Sequence, residues 1–257
     1  MPAAPAERGH ADLGRARIPD LPMHNIDAQD DWRAEWRRAF AVARKDITAE
    51  RRTKSNFNAV VAMAGLILLF FGFALGPDAE GLRNAASGVL WLTILFSGVL
   101  AFNRSYQLEL EAGALEQLLM YPGERWTIYV GKLLANLAFV FLVEVVTLPL
   151  TAILYHVAFP TRWPEVALVL VLGTTGFVAL GTLYAAMASR SRSREVLLPL
   201  LLFPMLVPVL IAASGATGAL LVDDVMGDSR AYIRLLAAFD AIFLVAATWA
   251  FPFVIEG

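Results

Sequence analysis

Apolar positions along this chain come in six long runs, separated by short polar blocks that hold most of its charge. Roughly 20 mostly apolar residues are needed to cross a hydrocarbon core about 30 Å thick. Residues 57–76, 85–102, 127–155, 165–188, 196–222 and 231–254 meet or approach that length. The third run is long enough to tilt or to project beyond the bilayer. The pattern predicts an all-α integral membrane protein with six transmembrane helices over residues 57–257.

Ahead of the first run the pattern changes twice. Residues 1–30 mix Pro, Ala, Gly and both charge signs without hydrophobic periodicity, which predicts a disordered tail. They lack the apolar core of a secretory signal, so no cleavage is expected. Over residues 31–56, Trp32, Trp36, Phe40, Ala43 and Ile47 recur at helical spacing, while Arg33, Arg37, Arg38, Arg44 and Lys45 crowd the remainder. A basic amphipathic helix bearing tryptophans, just before a span, is expected to lie flat in the headgroup layer.

Composition sharpens this reading. Hydrophobic residues make up 58% of the chain and the mean hydropathy is +0.60, above the usual apolar share of about 45–50%. The absence of cysteine excludes disulfides, a thiol nucleophile, thiolate metal sites and covalent C-x-x-C-H haem attachment. His10, His24 and His156 are too scattered for a metal site within one chain. The net charge of −2 matters less than where the cations lie. Arg44, Lys45, Arg51, Arg52 and Lys54 precede the first span, Arg104, Arg125 and Lys132 follow the second, and Arg190, Arg192 and Arg194 follow the fourth. By the positive-inside rule these connections and both termini are cytoplasmic.

One cytoplasmic connection is unusual. "RSYQLELEAGALEQLLMYPGERW", 104–126, sets Leu108, Ala112, Leu115 and Leu119 on one helical stripe, with Glu109 and Glu116 elsewhere, and Pro122-Gly123 ends the pattern. The stripe must be buried in the headgroup layer, in the span bundle or in a partner. Anionic lipid repels the glutamates, which favours a protein partner; a helix folded back on its own bundle is the alternative. "GERWTIYVGKL" is not a phosphate-binding loop, because Gly123 and Gly131 are too far apart and Leu133 replaces the Mg²⁺-binding hydroxyl. Lys132 is expected to snorkel to the interface.

The segment "FNRSYQLELEAGALEQLLMYPGERWTIYVGKLLANL", preceded by "SGVLWLTILFSGVLA", resembles haem exporter protein B (CcmB), the membrane permease of bacterial cytochrome c maturation. The likeness runs from about residue 36 to 253. It implies a type-2 ABC exporter fold in the bacterial inner membrane: an N-terminal amphipathic connecting helix, then six spans with a coupling helix at about 104–121. Two copies would sit on two CcmA-like ATPase subunits, with CcmC, CcmD and the haem chaperone CcmE alongside. ATP would be bound by the partner only. Haem would be cargo, or would be handled as the loaded chaperone is released. The coupling surface implied here is Arg104, Glu109, Glu111, Gly113, Glu116 and Leu119. No nucleic acid partner is implied, and the tail before Asp31 departs from the family pattern.

Inside the membrane one acid stands out. Glu144, in "FLVEVVTLP", costs about 2.5–3.5 kcal/mol at a helix centre. It is either a pathway or gating residue or a hydrogen bond between packed spans. Pro199, Pro204 and Pro208 remove backbone donors from the fifth span, marking either a flexible path-lining helix or irregular packing. Gly181, Ala185 and Ser189 permit close helix approach. Residues 215–228 are glycine-rich and then acidic, a re-entrant segment or an external loop. His156 is the one histidine positioned to meet haem at the outer surface, though an isolated interfacial histidine is the stronger reading.

Three function classes compete. A permease driven by a partner's ATP hydrolysis leads, with a drug- or lipid-exporting permease as runner-up. An intramembrane enzyme would need a nucleophile–base pair or metal ligands, and the motifs for either are missing from the spans. A passive scaffold or channel would work without ATP.

Overall fold

The computed structural model describes residues 28–111, 124–158, 161–189, 194–221 and 229–256. These form α1 (Ala28–Thr53), α2 (Ser55–Leu75), α3 (Ala79–Glu111), α4 (Trp126–Leu154), α5 (Trp163–Ser189), α6 (Arg194–Leu221) and α7 (Ser229–Glu256). Six contain stretches long and apolar enough to cross a membrane: Ser55–Leu75, Ala79–Arg104, Trp126–Leu154, Trp163–Ser189, Val196–Leu221 and Ser229–Ile255. The six predicted runs are all present.

Element ends follow local chemistry. The second span starts at Ala79, six residues before the apolar run, because Asp78 caps it by accepting from the backbone N–H groups of Glu80 (3.2 Å) and Gly81 (3.0 Å). The polar first turn is therefore helical. Between α1 and α2 a single residue, Lys54, takes a left-handed conformation (φ 50°). That geometry costs a residue with a Cβ about 1–2 kcal/mol. The Glu50 carboxylate stabilises the corner by accepting from the Phe57 N–H at 2.9 Å. At the far end of α4, His156 is also left-handed (φ 53°), and the Val157 N–H returns to the Ala152 carbonyl at 3.0 Å. This is the wrap that ends many helices.

α3 and α5 form the centre, and α5 touches α3, α4, α6 and α7. Lipid tails are as apolar as leucine, so close packing rather than water exclusion must hold spans together. The α3–α5 seam does this by setting rings into glycine notches. A Cβ on Gly173 would lie 2.3 Å from Trp91, one on Gly98 2.3 Å from Phe177, and one on Gly181 2.1 Å from Phe102. The order 91, 98, 102 against 173, 177, 181 shows the two helices running parallel. Trp91 also donates its Nε1–H to Thr217 Oγ1 at 3.0 Å, which ties α6 to the same seam. Gly181 thus belongs to a packing stripe of glycines and aromatic rings, not to the Gly181–Ala185–Ser189 repeat alone.

α1 differs from the sequence reading at its start and at Lys132. It begins at Ala28, so residues 28–30 belong to the helix, and residues 1–27 lie outside the described set. Of the predicted apolar stripe only Ala43 is buried; Trp32, Trp36, Phe40 and Ile47 remain 38–60% exposed. The helix docks on α4 by another face, which includes Glu35, Ala39 and Ala43. Gly131 makes the close approach possible, since a Cβ there would sit 2.7 Å from the Ala39 carbonyl and from Val42. Lys132 does not snorkel. It is 2% exposed and pairs with Asp46 of α1 at 3.5 Å, because α1 covers the point where its ammonium would have reached solvent.

Candidate functional site

α4 carries a line of buried polar side chains, Lys132, Asn136, Glu144, Thr147 and Thr151, in a helix otherwise rich in Leu, Val and Phe. The facing helix α5 supplies partners for several groups on α4. Asn136 Nδ2 donates to Thr182 Oγ1 at 2.9 Å, and the Tyr129 hydroxyl donates to the Ala179 carbonyl at 3.0 Å. The Thr174 hydroxyl donates to Glu144 Oε1. Glu144 is 3% exposed and also lines a narrow crevice with Val60, Ser97, Phe139 and Val143, between α2, α3 and α4. The Ser97 hydroxyl in that crevice has no hydrogen-bond partner among the described residues.

A second intramembrane acid, not singled out by the sequence reading, lies on the other flank of α5. Asp240 of α7 is 6% exposed, and neither carboxyl oxygen has a hydrogen-bond partner among the described residues. Its room comes from Gly176, where a Cβ would meet Asp240 Oδ1 at 2.5 Å. Leaving a carboxyl unpartnered in an apolar interior is expensive. Residues 174 and 176 of one helix face nearly opposite ways, at about 100° per residue. α5 is therefore held between two carboxyls, one hydrogen-bonded and one not. The available signal was the single acid in "AAFDAIF" within an apolar run, the same kind of signal that singled out Glu144.

The other predicted site residues lie elsewhere. Arg104 donates from Nη2 to Ser55 Oγ at 3.0 Å, joining the end of the second span to the start of the first. α3 continues unbroken beyond Arg104 to Glu111, so Glu109 and Glu111 ride on an extension of a span. Gly113, Glu116 and Leu119 lie outside the described residues. Pro199, Pro204 and Pro208 sit within α6, which stays helical through all three. Pro204 and Pro208 are exposed on its outer face, whereas Leu198, Leu202, Leu206 and Val209 turn inward. Residues 215–221 are the last turns of α6, continuing a span instead of re-entering, and 222–228 lie outside the described residues. His156 is exposed, and its place at the helix end accounts for its backbone. Among the described residues no group of three His, Asp or Glu side chains is arranged to hold a metal.

Six spans, an amphipathic helix fastened across their end and ionisable side chains buried against a central span define a multi-pass membrane protein with a polar interior. Its family follows from comparison with known proteins. The chain belongs to the CcmB family, whose model, described as CcmB protein, matches residues 37–256. It is 34% identical over 172 residues to heme exporter protein B of Rhodobacter capsulatus, covering 66% of this chain and 78% of the relative. To heme exporter protein B of Pseudomonas aeruginosa it is 31% identical over 182 residues, 70% of this chain and 80% of the relative. The corresponding Bradyrhizobium diazoefficiens protein is 26% identical over 210 residues, 82% of this chain and 93% of the relative.

Proposed function

We propose that this chain is the membrane permease subunit of a haem exporter in cytochrome c maturation, moved by ATP hydrolysis in a separate subunit. The observation that carries the reading is the family match, which spans α2 to α7 and most of α1. The chain itself is non-catalytic. It works as a type-2 ABC permease in the bacterial inner membrane with both termini cytoplasmic, and a second copy completes the pathway. A CcmA-like ATPase grips the crossover that begins where α3 leaves the membrane and ends before Trp126. CcmC, CcmD and the chaperone CcmE complete the assembly, and haem, or the haem-loaded chaperone, is what the cycle moves.

The arrangement of the bundle supports this mechanism. α1, the start of α2, the end of the second span and the start of α4 are fastened together by Arg104–Ser55, Glu50–Phe57 and Asp46–Lys132. A push on the crossover would therefore reach α1, α2 and α4 as one body. α4 carries Glu144 into the crevice and against α5. The test is co-purification of the ATPase subunit in mild detergent. The double charge reversal Glu111→Lys with Glu116→Lys is expected to abolish retention of that subunit while the permease still reaches the membrane. Undiminished retention would overturn the coupling assignment.

A further inference from the structure

The charges of α1 are sorted by direction, acids toward the bundle and arginines away from it. Its described acids, Glu35, Asp46 and Glu50, are turned inward: Glu35 is buried and bonded by the Glu124 N–H at 3.4 Å, Asp46 meets Lys132, and Glu50 holds Phe57. Arg33, Arg37, Arg44 and Arg51 are exposed. Spacings of 4, 7 and 7 residues align these four arginines in one narrow strip along the helix. The strip borders the exposed Trp36, Phe40 and Ile47 and faces away from α4. Arg37, Phe40, Arg44 and Thr48 line a shallow open groove there. Lys45 lines it too and is paired with Asp46 at 3.3 Å.

This face lies at the end of the bundle where the first and third spans begin. Lys54 alone separates α1 from the first span, and α1 lies along the first turns of α4, with Trp36 against Trp126 at 5.7 Å between ring centroids. An aromatic strip beside a basic strip, at the level where spans begin, matches the two layers of a lipid surface: acyl chain below, phosphate above. We propose that the Arg37–Arg44 groove on α1 is a binding site for the phosphate of an anionic phospholipid, with Phe40 and Trp36 seated among its upper acyl carbons. Paired arginines suit the phosphate because their planar donor sets reach two oxygens each.

The experiment is native mass spectrometry of the full chain in detergent with phosphatidylglycerol or phosphatidylcholine of the same acyl length. The wild type is expected to retain phosphatidylglycerol selectively, and Arg37→Gln with Arg44→Gln to lower that retention roughly 10- to 30-fold. Helical content and elution volume should be unchanged, and Arg37→Lys with Arg44→Lys should keep the part of the preference that charge alone supplies and lose the part that needs the planar donor sets. Should the glutamine variant not fold, a salt titration of the wild type decides, since the preference must weaken as screening rises. Equal retention of the two lipids, or a preference that ignores salt, would refute the site. So would displacement by millimolar inorganic phosphate. A glutamine variant that keeps its lipid preference but loses the ATPase subunit would assign the face to a protein partner and refute it as well.

Discussion

Glu144 and Asp240 press on the same helix under unequal conditions, and the inequality predicts unequal responses. Glu144 has the Thr174 hydroxyl, whereas among the described residues neither oxygen of Asp240 has a partner. Replacing a buried, unsatisfied polar group by an apolar one of similar shape removes a desolvation penalty of about 1–3 kcal/mol. Asp240→Val is therefore expected to raise the thermal unfolding midpoint of the purified chain, while Glu144→Val, which also strands Thr174, is expected to lower it. If the carboxyl of Asp240 serves the transport cycle, the stabilised variant will also lose cytochrome c maturation. Unfolding followed in detergent, beside a maturation assay in cells, separates the two effects. A lower midpoint for Asp240→Val would mean that its carboxyl has a stabilising partner. At this scale the sequence was half legible. Glu144 stood out as an acid within an apolar run while Asp240, on the same signal, was passed over. What each acid faces was not legible: Thr174 and Gly176 look like ordinary small residues until α5 is set between α4 and α7.

Among the elements, α1 shows how amphipathicity identifies one face of a helix without revealing what the opposite face docks on. The aromatic stripe is real and stays outward, while docking uses small residues and acids whose value lies in what α4 presents. One of these contacts joins Asp46, whose side chain is 17% exposed, to Lys132 at 2%. Removing one partner of a buried ion pair leaves the other poorly compensated, and the residual solvent contact of Asp46 moderates the loss. Asp46→Ala is expected to cost about 1–3 kcal/mol and to make α1 more susceptible to limited proteolysis, with the six spans intact. Cleavage within α1 at the wild-type rate would show that the pair does not fasten it. The spans themselves were legible because about 20 apolar residues admit few other fates. Their ends were less so: the second begins six residues early through Asp78, a side-chain cap that hydropathy cannot weigh.

For the whole molecule, six spans with short connections place the α2–α3 turn and the end of α4 at one end of the bundle, opposite α1 and the start of α4. Helix packing establishes this two-sidedness without saying which side faces the cytoplasm; the positive-inside rule supplies that from Arg44, Lys45 and Arg51 at one end. Because the chain has no cysteine, single substitutions can report the side without background. Glu80→Cys and His156→Cys, both at exposed positions, are expected to react with a membrane-impermeant maleimide applied to intact spheroplasts. Glu124→Cys and Thr48→Cys, exposed at the opposite end, should react only after the membrane is opened. The reverse pattern would put the crossover on the outer side, where no nucleotide is available, and would rule out ATP-driven coupling there even though every helix contact described above stayed the same. Orientation thus links the fold to the proposed mechanism, and it depends on a few arginines and lysines that contribute little to holding the bundle together.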